Sequence, residues 1–145
     1  MSTEDNKALV RQVLEEVFNQ GNLGRADEFL APDFVEHEAL PPGLPGGREG
    51  VKQLVTMMRS AFPDFKATID GILAEGDKVV VRQTFSGTHK GEFMGIAPTG
   101  RSMSMKVIDI IRLAGGKFVE HWGLMDSTAM MQQLGAVPAP EQSGR

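Results

Sequence analysis

Apolar positions along the chain follow two different periods. Leu9, Val10, Val13, Leu14 and Val17 recur at the spacing of one helical face. Ser2 and Asp5 form a capping-box pair ahead of them and Gly21 offers a left-handed stop, so the pattern predicts a helix over residues 3–20. A shorter amphipathic segment spans 23–30. Residues 48–61, with Val51, Leu54, Val55 and Met58 on one side, form a third helix that Pro63 ends. From Phe65 onward the period becomes two: Phe65, Ala67 and Ile69 alternate with Lys66, Thr68 and Asp70, and 78–89 is a long strand rich in β-branched residues. Before that change, 34–37 is a short extended piece and 38–47 a loop with three prolines and three glycines. Helices followed by a meander of strands predict an α+β domain. Its strongly curved antiparallel sheet packs on three N-terminal helices as a cone, whose mouth is a natural ligand pocket.

The last two strands, within 101–126, carry Asp109 and His121 in the middle of otherwise apolar runs. Ala114-Gly115-Gly116-Lys117 between them is a hairpin signal of ambiguous loop length. A two-residue loop would pair Asp109 with Trp122 and send the carboxylate and the imidazole to opposite faces. A three-residue loop with a glycine bulge pairs Asp109 with His121, and this register is preferred. It puts Asp109, Ile111, Val119, His121 and Gly123 on one face, and Ile108, Ile110, Arg112, Phe118, Glu120 and Trp122 on the other. The second face is an apolar patch that a homodimer, or the carboxy-terminal tail, would cover.

At 145 residues the chain suits one domain, assigned to 1–135, with a Pro-rich and polar tail at 136–145 expected to be disordered. A net charge of −4 with interspersed signs argues against nucleic acid and anionic membrane as partners. The absence of cysteine excludes disulfides, a thiol nucleophile and thiolate metal sites. The polar, acidic start and the lack of a long apolar run point to a cytoplasmic protein. Three histidines without local ligand spacing give a weak case for a metal, and none is expected; the glycines at 91, 95 and 100 fit neither phosphate-binding fingerprint. No cofactor is expected.

The segment SGTHKGEFMGIAPTGR, then IDIIRLAGGKFVEHWGLMD and QQLG, together with Pro32-Asp33-Phe34, resembles the SnoaL-like polyketide cyclase and ester cyclase family over nearly the whole chain. The resemblance implies a nuclear-transport-factor-like (cystatin-like) α+β cone. It further implies a usually homodimeric enzyme that closes rings of anthraquinone-type precursors by an intramolecular aldol step, without metal or organic cofactor. In that family the position matching Asp109 holds a His that orients the acid/base, and the position matching Gly123 holds the Asp that transfers the proton. Glycine occupies it here, so that role does not carry over. His121 matches a His of the family motif, and His89 its strand-end GxH. Ketosteroid isomerase, a more distant relative of the same fold, has its Asp base where this chain has His37.

Asp109 and His121 are the candidate catalytic pair, since an imidazole beside a carboxylate in an apolar cavity is held in one tautomer and tuned for proton transfer. The competing reading is a structural pair that fixes the sheet register. His37, His89, Phe93, Met94, Trp122 and Arg82 complete the candidate ligand contacts: His37 from the opposite wall, His89 toward a carbonyl, Phe93 and Met94 from an apolar lid, and Arg82 as a potential ion-pair partner of Asp109. His37 reads equally as an exposed loop-edge residue, His89 as a bond to the following loop and Asp126 as a helix cap. The expected ligand is a small, apolar, carbonyl-bearing molecule. The expected function is cyclase or isomerase chemistry; a non-catalytic binding protein, or a hydrolase activating water with the same pair, are the alternatives.

Overall fold

A computed structural model describes residues 2–38 and 40–136. Helix α1 (Thr3–Val13) opens with the expected capping box: the Ser2 hydroxyl accepts from Asp5 N at 3.0 Å and the Asp5 carboxylate from Ser2 N at 3.2 Å. It passes into one stretch of π-helix (Leu14–Asn19). The Asn19 side chain then pairs with the backbone of Ala67, accepting at 2.7 Å and donating at 3.1 Å, which ties the helix end to the sheet. Helix α2 (Leu23–Phe29), strand β1 (Leu30–Glu36) and helix α3 (Gly47–Ala61) follow. Four strands come next, β2 (Lys66–Glu75), β3 (Lys78–Thr88), β4 (Ser102–Ala114) and β5 (Lys117–Met125), and then helix α4 (Ser127–Gln133). Asp126 caps α4, its carboxylate accepting from Ala129 N at 3.2 Å. The tail expected to be disordered lies, beyond Ala136, outside the described residues.

The sheet order is β1-β5-β4-β3-β2. β2 to β5 form the expected antiparallel meander, but β1 joins β5 in parallel, so the sheet is mixed rather than wholly antiparallel. One apolar cluster, including Val10, Val17, Val55, Val81 and Ile111, fills the space between α1, α3 and the sheet. A second, including Phe62, Phe85, Phe93, Met105 and Leu134, closes the other end beneath α4.

The hairpin differs from expectation in an instructive way. Ala114 pairs with Lys117, so the loop is the two residues Gly115 and Gly116, at φ 59° and 75°, as a type I′ turn needs. The extra residue sits inside β5 instead: Leu113 pairs with Phe118 and Arg112 with Glu120, leaving Val119 as a bulge. Phe118 therefore faces the core at 8% exposure, not the outer face, and Val119 gives up its expected inward place. Past the bulge the phase is restored, and Asp109 stands opposite Gly123 with His121 on the diagonal.

Candidate functional site

Alternation along each strand decides which side chains meet. In β1, Phe34 is buried, so Glu36 and, just past the strand, Glu38 share its inward face, while Val35 and His37 point out. In β3, Val79, Val81, Gln83 and Phe85 are buried; in β4, Val107, Asp109, Ile111 and Leu113. Phe34, Glu36 and Glu38, Val81, Gln83 and Phe85, and Val107, Asp109 and Ile111, with Val10 and Val13 of α1 and Leu14 of the π-helical stretch, line a cavity of about 70 Å³ whose wall is apolar except at Glu36, Glu38, Gln83, Asp109 and His121.

Four of the polar groups form a hydrogen-bonded line across the sheet, one from each of β1, β5, β4 and β3. Glu36 Oε2 bonds His121 Nδ1, His121 Nε2 lies 2.7 Å from Asp109 Oδ1, and Gln83 Nε2 donates to Asp109 Oδ2 at 2.5 Å. Diagonal neighbours on one face of a sheet are within reach of side chains of this length. Glu38 Oε1 stands 4.0 Å from His121 Nδ1. All three carboxylates are close to buried, with 6% of the Glu36, 12% of the Glu38 and 11% of the Asp109 side chain exposed.

Two protonation states follow. Burial by itself would lower the His121 pKa, but the hydrogen bonds it donates to Asp109 and Glu36, together with their charges, outweigh it and raise it to about 10. His121 is thus an imidazolium with both N–H groups occupied. Glu38 is pushed up to about 7, first by burial and then by the Asp109 and Glu36 charges, with His121 opposing. It makes no side-chain hydrogen bond among the described residues, and it titrates where a general acid/base is most effective.

Gly123 is the space these groups need. A Cβ there would lie 2.7 Å from Asp109 Oδ1, 2.7 Å from Glu38 Oε1 and 2.8 Å from His121 Cε1. The position lacking a side chain is therefore where three polar groups converge. Glu36, Glu38 and His121 are also the residues able to offer a cation one ligand atom each, these atoms lying within 4.8 Å of one another. A metal would have to displace the strongly held imidazolium proton.

The remaining candidates lie elsewhere. Arg82 follows the outward phase of β3, is exposed and donates to Asp70 O at 3.2 Å, so it forms no ion pair with Asp109. His37 and Trp122 are on the outer face, their rings stacked at 4.8 Å, with His37 Nε2 2.8 Å from Glu120 Oε2; the β1 phase turns His37 away from the cavity. His89 is buried at the other end, its ring 5.6 Å from that of Phe62 and its Nδ1 accepting from Thr99 N at 3.3 Å. Phe93 fills the second core, and Met94, at φ 50°, is half-exposed in the tight turn closed by the Phe93–Ile96 bridge. Their segment is anchored on the end of α3, where Ala61 O accepts from Lys90 N and Gly91 N, each at 3.0 Å, and neither side chain covers the cavity. Glu36, Glu38 and Gln83 were missed by sequence reasoning. The alternation Phe34, Glu36, Glu38 was the available signal for the first two.

Comparison with known proteins accords with this architecture. Residues 8–134 match the family model of SnoaL-like polyketide cyclases. The nogalonic acid methyl ester cyclase of Streptomyces nogalater is 30% identical over 129 residues, covering 88% of this chain and 95% of that protein. An aklanonic acid methyl ester cyclase of Streptomyces peucetius is 32% identical, covering 97% of each chain. Among solved structures, TsrD from Streptomyces laurentii superposes with a TM-score of 0.84 at 32% identity, over 94% of this chain and 99% of that one. The chain belongs to the SnoaL-like polyketide cyclase family.

Proposed function

We propose that this protein carries out cofactor-independent acid/base chemistry of the aldol-cyclisation type on an apolar, carbonyl-bearing small molecule bound in the cavity. The observation that carries the reading is the Glu38 carboxyl, which lines an apolar cavity with a pKa of about 7 beside a fixed imidazolium. In this scheme the ionised Glu38 removes a proton from carbon next to a carbonyl, and the cationic His121 stabilises the enolate charge through space in a low-dielectric site. The enolate carbon attacks a second carbonyl of the same molecule and forms the ring C–C bond. The resulting alkoxide takes the proton back from Glu38, so no proton is gained or lost overall. Asp109 and Glu36 then hold His121 in charge and orientation rather than exchanging protons.

The cavity of about 70 Å³ is far below the roughly 300 Å³ and upward that drug-sized ligands occupy. A ring-forming substrate therefore needs outward movement of the wall, and Glu38, just past β1, is the lining residue that lies outside the sheet and helices. The esters named for the relatives, nogalonic and aklanonic acid methyl esters, are the first compounds to test. In D2O, wild type is expected to convert at least one of them and, where the enolate is reprotonated before it closes the ring, to leave solvent deuterium at the activated carbon of the unreacted ester, with Glu38→Gln slower in both by about 10²- to 10⁴-fold. Equal rates in the two proteins would remove Glu38 from its role. Binding of both esters with exchange at background would make this a binding protein.

The outer sheet face supports a homodimer. Leu73, Val80, Ile110 and Trp122 form one row in register across β2 to β5, and Ile108 and Leu124 pair in the next. Leu73, Ile108 and Leu124 are 72%, 49% and 79% exposed, which makes a continuous apolar surface suited to a second copy.

A further inference from the structure

The line across the sheet ends in an unused atom. Gln83 is 1% exposed and lines the cavity, yet its Oε1 has no hydrogen-bond partner among the described residues. Exchanging the amide's two ends does not help, because it would set Oε1 against the Asp109 oxygen 2.5 Å away. The amide is therefore locked by Asp109, and what it leaves over is an acceptor. A buried acceptor without a partner is costly, and it is the kind of group that a ligand satisfies.

His121 and Asp109, the groups next along the line, have no donor to spare. Both His121 nitrogens are taken by Asp109 and Glu36, and both Asp109 oxygens by His121 and Gln83. We propose that Gln83 Oε1 accepts a hydrogen bond from a hydroxyl group of the cavity's ligand, so that this chain selects phenolic, enolic or alcoholic molecules over their ethers and deoxy analogues. The inference rests on the reading that the cavity is the ligand site, but not on any proton transfer there. A site built to bond a hydroxyl discriminates strongly against an analogue lacking it, since the analogue leaves the protein acceptor buried and unpaired.

The test uses phenol, anisole and toluene, titrated into the full chain and followed by NMR shifts of the cavity methyl groups. Wild type is expected to bind phenol about ten- to a hundredfold more tightly than anisole. In Gln83→Met, which keeps the length and removes the acceptor, the preference is expected to fall to within about twofold while toluene affinity is kept. Equal affinity of wild type for phenol and anisole would overturn the proposal, as would no phenol binding. A preference that survives in Gln83→Met would also do so, pointing to Glu38 as the acceptor instead. Should Gln83→Met not fold, the wild-type ratio decides. Loss of deuterium exchange with these preferences intact would sink the catalytic reading alone.

Discussion

His121 gives the most direct measure of the site, and replacing Asp109 by Asn perturbs it with little change in shape. The gap between the ordinary 6.5 and about 10 corresponds to roughly 5 kcal/mol of preference for the imidazolium in the folded protein. Two carboxylates supply it against the cost of burial. Asparagine can still accept from Nε2–H but brings no charge, so about half of that preference should vanish. The His121 pKa is then expected near 8, with a stability loss of roughly 3 kcal/mol at neutral pH. Because the folded pKa is raised, the stabilisation is fully present below pH 6.5 and is lost as pH rises through 10. Glu38 acts in the same sense between 4.5 and 7, since the fold favours its neutral form over that range. Long-range ¹H–¹⁵N spectra of the imidazole across pH 5 to 11, with urea unfolding at the same pH values, measure both quantities. A wild-type His121 that titrates near 6.5, or an Asp109→Asn variant with an unchanged titration, would refute the account of the charge cluster.

Two further outcomes test the geometry. Gly123→Ala forces contacts of 2.7 to 2.8 Å on Asp109, Glu38 and His121; it is expected to cost about 1–3 kcal/mol in chemical denaturation and to shift the Glu38 titration, and neither change would occur if the three groups stood apart. Leu124→Glu, on the outer face, is expected to convert a dimer to monomer in analytical ultracentrifugation without altering the His121 titration; an unchanged mass would remove that face as the interface.

Several features were legible in the chain because they depend on near neighbours. The capping box at Ser2 and Asp5, the α4 cap at Asp126 and the strand periods from β2 to β5 are set by side chains a few residues apart. The sharing of one face by Asp109 and His121 also emerged, although by a different route. The expected odd residue in the turn is found at Val119, and either placement gives the same parity downstream. Phe118, lying between the two possible positions of that residue, is where the difference shows.

By itself the sequence determined the α+β order, the meander and the presence of two ionisable groups in an apolar wall, because local periodicity and turn chemistry suffice for each. Only the tertiary structure decided that β1 lies parallel against β5. That one long-range pairing, between segments some 85 residues apart, brings Glu36 onto His121 and Glu38 beside it, and turns His37 outward. Proton affinities depend on charge and burial in space, so a site made of four strands and a loop acquires its chemistry only when those strands are side by side.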